Sequence, residues 1–79
     1  MELTKMQIDG VRDEVSNMLK HVFYDNRDRE DVVDLILDDV VRDIEEIADW
    51  SNYGEDEYCL DDVRIALARV IKNAIELRG

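Results

Sequence analysis

Side chains equipped for covalent or proton-transfer chemistry are scarce in this chain, which has one histidine, His21, and one cysteine, Cys59. Nucleophilic catalysis needs a Ser, Thr or Cys with a base held against it. His21 falls on the polar face of a helical segment, and Cys59 stands in a loop between acids, so neither has a catalytic partner beside it in the sequence. A zinc site asks for about four Cys or His ligands, and one of each is too few. No glycine-rich phosphate loop is present, and an acidic chain opposes phosphate. The stretch Asp49-x-Ser51-x-Tyr53-Gly54 opens in the register of a calcium-binding loop, but it puts Tyr53 at a ligand position and Leu60 where a bidentate Glu belongs. The expectation is a protein that is not an enzyme, without catalytic, metal-binding or cofactor-binding residues.

Carboxylates are what the chain has in quantity. Between Asp25 and Asp62, sixteen acidic residues meet three basic ones, Arg27, Arg29 and Arg42, for a net −13, whereas residues 1–24 carry −1 and residues 63–79 carry +3. Such a field repels nucleic acid and anionic membrane and attracts basic protein surfaces. The expected partner is a basic protein surface, with no direct nucleic-acid binding and no membrane. No apolar run approaches the roughly 20 residues that span a bilayer, and Met1 to Lys5 lacks the basic start and apolar run of a signal peptide. A lone cysteine forms no internal disulfide, so a reducing, cytoplasmic setting is expected.

Positioning these acids falls to helices. With 79 residues, no proline and three glycines, the chain predicts one all-α domain over residues 1–79, whose core buries about 60% of the unfolded surface. A first helix starts near Thr4, with Gln7 closing a capping box, and carries the stripe Ile8, Val11, Val15, Met18 and Val22, widened by Leu19 and Phe23. Gly10 lies inside it, at a cost of about 1 kcal/mol relative to alanine. Tyr24 to Asp28 breaks the pattern, and a second helix starts at Asp28 with Asp31 behind it. Its apolar positions from Val32 to Trp50 fill an arc of about 180°, which suits a central helix touching two neighbours and leaves Leu35 on the wrong side. Ser51 to Cys59 has no period and predicts a loop. A third helix enters through Leu60, Asp61 and Asp62, with Val63, Leu67, Val70, Ala74 and Leu77 as its stripe, broadened by Ile71 and Ile75, and Gly79 ends the chain. Short connections favour antiparallel neighbours, so the expected architecture is a small three-helix up-down-up bundle.

On that bundle, Asp31, Asp34, Asp38, Glu45 and Asp49 fall within an arc of about 60° on the side of helix two away from its apolar face, with Asp39 and Glu46 flanking. Helix three is the reverse, with Arg64, Arg69, Lys72 and Arg78 against Glu76 beyond its first turn. A solvated face that partly pairs with the basic helix explains such a column without function. Its composition argues for more. Aspartate is the poorer helix former, and pairs such as Asp34 with Asp38 repel, so the helix carries costs with no local compensation.

The chain lacks the Asp-Ser-Leu attachment motif of acyl carrier proteins. Leu60 to Leu67 looks like the entry to the last helix of a histone fold over less than a dozen residues, with the wrong charge for DNA. In size and charge, the chain resembles the small DNA-mimic inhibitors of phage and other mobile elements, a likeness of class and not of motif. That likeness implies a non-enzymatic acidic module that docks a basic protein surface, its partner-binding residues being Asp31, Asp34, Asp38, Glu45, Asp49, Trp50, Tyr53, Glu55, Asp56, Glu57 and Tyr58. The alternative is a homo-oligomeric structural or assembly protein that associates through the broad arc of helix two, with Leu35, Trp50 or Tyr24 in the contact.

Overall fold

Thr4 sets where the first helix begins. Its hydroxyl accepts from the Gln7 N–H at 3.1 Å while the Gln7 side chain accepts from the Thr4 N–H at 2.9 Å, so the predicted capping box is formed in full. The computed structural model describes residues 2–78, with side chains through Glu76. Three helices, α1 (Lys5–Leu19), α2 (Asn26–Ile47) and α3 (Leu60–Arg78), form an all-α up-down-up bundle in which each helix touches the other two. Leu77 and Arg78, assigned by spacing to the core stripe and the basic face, lie outside the described side chains, and Gly79 lies outside the described residues.

The core follows the expected stripes along α1, α2 and the first half of α3. Ile71, Ala74 and Ile75, assigned by spacing to the α3 stripe, are instead exposed, because α3 runs beyond the cover of the other two helices. Val11, Val15 and Leu19 of α1 meet Val33, Val40 and Ile44 of α2 and Val63, Ala66 and Leu67 of α3, with Leu3 and Trp50 closing one end. The 22 residues of α2 extend for about 33 Å, close to the 36 Å long dimension of the molecule. Its apolar arc is used on both sides, and Leu35 is left 78% exposed.

Three boundaries differ from the sequence expectation. The α1 stripe stops at Leu19, not at Phe23, because the chain turns there: the Val22 and Phe23 N–H groups both donate to the Leu19 carbonyl, at 3.0 and 2.8 Å. Val22 is therefore outside the helix and exposed. Next, α2 begins two residues before Asp28, with Asp25 as its cap, since the Asp25 carboxylate accepts from the Arg27 N–H at 2.8 Å. Arg29 stabilises this corner from within, buried and donating to the Phe23 carbonyl at 3.1 Å and to the Asn26 side chain. Finally, α2 ends at Ile47, so Trp50 reaches the core from the connecting segment and not from the helix arc.

Gly10 has a packing reason. A Cβ built on it would lie 2.8 Å from Tyr58 Cδ1 and still closer to Cε1, so the Tyr58 ring rests against the bare backbone of α1. Gly10→Ala is expected to destabilise the fold by about 1–3 kcal/mol through overpacking, although alanine is the better helix former by about 1 kcal/mol. Chemical denaturation checks the sign. A second change, Tyr58→Ser, should turn the same Gly10→Ala substitution into a stabilising one.

Candidate functional site

The α2–α3 connection carries the consecutive acids Glu55, Asp56 and Glu57, and its backbone is hydrogen-bonded to the start of α1. The Gln7 amide donates to the Glu57 carbonyl at 2.9 Å and to the Gly54 carbonyl at 3.4 Å, and the Thr4 hydroxyl donates to the Glu55 carbonyl. Gln7 is 6% exposed. A buried amide left without partners would cost about 1–3 kcal/mol, so the loop cannot lift away freely. Gly54 to Glu57 closes as a turn, with the Glu57 N–H donating to the Gly54 carbonyl at 3.1 Å. The side chains of Glu55, Asp56 and Glu57 all remain exposed.

The aromatic residues of the same segment act mainly as fasteners. Trp50 is 3% exposed, and its indole N–H donates to the Asp62 carboxylate at 2.7 Å, joining the end of α2 to the first turn of α3. It is therefore not a surface anchor for a partner, nor a contact for a second copy by way of α2, as the sequence allowed. Burial of its ring, with a partner for its polar edge, explains the placement. Tyr58 is half-buried, and its hydroxyl donates to the Glu14 carboxylate at 3.0 Å. Tyr53 stacks on Trp50, with ring centroids 6.2 Å apart, and keeps 42% of its surface open. Tyr53 is thus the one aromatic of the three that presents a broad face to solvent.

The acidic column runs down α2 toward the loop. Asp31, Asp34 and Asp38 are exposed and Glu45 is half-exposed. From Asp31 to Glu45 the column is about 21 Å long, at 1.5 Å per residue. Asp49 lies just beyond the helix and is exposed, its carboxyl held below the usual range by hydrogen bonds from the Ser51 hydroxyl and N–H.

Among the described residues, cations reach only the margins of this surface. Arg12 of α1 bridges Glu30 at 3.1 Å and Asp34 at 2.5 Å, taking the near edge of the column. Arg69 of α3 contacts Asp43 at 3.5 Å on the opposite side of α2. Arg42 lies 3.7 Å from Asp39, an exposed pair worth about 0–1 kcal/mol. The residue that pairs with the column is thus on α1, whereas the charge balance of the sequence points to the basic α3. Arg29, one of the three bases within the acidic stretch, is withdrawn into the α1–α2 corner.

The groups considered for catalysis are not brought together. His21 lies in the turn after α1, at the end of the bundle opposite the loop, while Cys59 is half-buried at the start of α3. The length of α1, about 22 Å, stands between those two ends. Among the described residues, no three His, Cys, Asp or Glu side chains converge as a metal site would require, and no helix is long and apolar enough to cross a membrane. No family model, curated protein or solved structure matches the chain.

Burial and the Glu14 carboxylate push the Tyr58 hydroxyl above its ordinary value of 10.0. The folded state therefore holds that proton more tightly than the unfolded chain does. The resulting stability is fully present below pH of about 10 and is lost as pH rises through the folded value. Tyr58→Phe should have a shallower alkaline decline in thermal stability than the wild type, and should lose about 1 kcal/mol at neutral pH from the missing hydrogen bond.

Proposed function

We propose that this protein is a non-enzymatic acidic docking module that binds a basic protein surface, its carboxylates standing where a nucleic acid would place phosphates. The observation that carries this reading is the pairing of exposed acids with a fixed backbone. Glu55, Asp56 and Glu57 project from a loop hydrogen-bonded to α1, and the α2 column leads to that same end of the molecule. Charges on a fixed frame lose little entropy on binding, so more of their attraction is realised as affinity.

Spacing supports the analogy with phosphate. Neighbouring carboxylates of the column average about 7 Å apart along the axis, close to every second phosphate of a strand that rises 3.4 Å per nucleotide. Such an array meets a cationic groove at half density, and the loop acids supplement it at one end. This is the profile of a DNA-mimic inhibitor or regulator of a nucleic-acid-binding protein, of the kind carried by phage and other mobile elements. Tyr53, stacked and partly open beside the loop, is the aromatic best placed to contribute contact area.

The test is capture from the native host at two salt concentrations, followed by a DNA-competition assay on the captured protein. A nucleic-acid-binding protein should be retained at low salt, released at high salt, and displaced by duplex DNA. Changing Asp38, Glu45, Glu55, Asp56 and Glu57 to their amides should weaken capture by at least about tenfold, equivalent to 1.4 kcal/mol, with the melting temperature held or raised. These five avoid Asp34, whose loss would also break the Arg12 bridge. Capture that is insensitive to salt and to the five amides, or that DNA does not compete, would overturn the proposal.

A further inference from the structure

Among the described residues, Asp34 is the one member of the column Asp31, Asp34, Asp38, Glu45 and Asp49 that a cation of the chain holds. Arg12 reaches it from α1 through Nη2, at 2.5 Å, and the same nitrogen meets Glu30, one turn earlier on α2, at 3.1 Å. Because one nitrogen serves both carboxylates, Arg12 forms with neither of them the two-pronged clamp that is the strongest form of such a pair. The bond to Asp34, and after it the bond to Glu30, makes the guanidinium hold its proton more tightly than usual. Arg12 is thus a full positive charge laid across the edge of an acidic surface.

We propose that Arg12 is a built-in competitor for the docking surface: it occupies Asp34 and Glu30 in the free protein and releases them to the basic side chains of a bound partner. This rests on the docking proposed above and adds how that surface is regulated. The side chains of Arg12, Glu30 and Asp34 are 36, 49 and 60% exposed, so a partner's cation reaches both carboxylates without opening the bundle. Exposed ion pairs hold weakly, and an incoming Lys or Arg restores the bonds that Arg12 gives up. The released guanidinium also has a second carboxylate within reach. Asp9 is exposed one turn back on α1, three residues before Arg12.

A competitor of this kind sets a threshold. A single cation that displaces Arg12 exchanges one set of pairs for another and gains little. A groove that presents several cations fills Asp31, Asp38 and Glu45 as well, and those contacts carry the exchange. The guarded edge therefore favours an extended basic groove over scattered surface lysines, a discrimination built on an opposing interaction.

The probe for a test is a labelled oligolysine peptide of about ten residues, longer when extended than the column. At low salt, Arg12→Gln should bind it about three- to tenfold tighter than the wild type and with a steeper salt dependence. Lys72→Gln removes the same charge from the side of α3 away from the core, and it should change the affinity by less than about twofold. In the wild type, the nitrogen-15 side-chain resonances of Arg12 should move to those of a free guanidinium as peptide is added, a readout that needs no variant and that a purely structural bridge would not give. Equal affinities for Arg12→Gln and Lys72→Gln, or Arg12 resonances unmoved by saturating peptide, would overturn the competition and leave the proposed docking in place. Failure of all three proteins to bind the peptide would overturn both.

Discussion

Gln7 is a buried amide whose hydrogen bonds all have to be met inside the protein, and the molecule is arranged around meeting them. Its backbone N–H and side-chain oxygen close the α1 cap with Thr4, while its side-chain nitrogen reaches across to the carbonyls of Gly54 and Glu57. One residue therefore starts a helix and fixes the longest connection in the chain. Tyr58 against Gly10, and Trp50 bonded to Asp62, act on the same segment from two further directions. A loop with no regular structure of its own is held by α1 on one side and by the start of α3 on the other.

That arrangement determines what the acids can do. A flexible acidic loop in water screens its own charge by spreading out, and it loses entropy whenever it is ordered against a partner. Here the backbone is ordered in advance and the carboxylates alone are free to adjust. The helix column has the same property for a different reason, since aspartate carries its charge close to a regular backbone. The bundle tolerates the repulsion because α2 is the central helix, with apolar contacts to both neighbours. Arg12 and Arg69 relieve only the two margins of that helix. The small core thus supports a surface whose charge is mostly unpaired among the described residues.

Much of the fold is legible in the spacing of apolar residues, because each helix buries one stripe and 3.6-residue periodicity identifies it. The Thr4 and Gln7 box is legible for the same local reason, and the exposure of Leu35 follows from its angle on α2 alone. What the sequence does not show is tertiary. Gln7 bonding to residues some 50 positions away has no local signature, so its second role is invisible. Trp50 follows the apolar arc of α2 in register, and only the helix end at Ile47 reveals that it arrives by a turn. Gly10 carries a weak signal, since a glycine inside a helix suggests close approach, but Tyr58 is too distant in the chain to be named from it. The α3 stripe is a partial success: spacing marks Ile71 and Ile75 as apolar, yet it cannot show that three helices leave them uncovered.

The central claim is that the acidic loop is presented on an ordered backbone, and nitrogen-15 relaxation of the free protein measures this directly. The amides of Glu55, Asp56 and Glu57 should have order parameters near those of the three helices, about 0.85, and should fall when Gln7 is changed to alanine. Order parameters below about 0.6 for these amides in the unaltered protein would contradict the account, because the loop would then be mobile despite the bonds to Gln7 and Thr4.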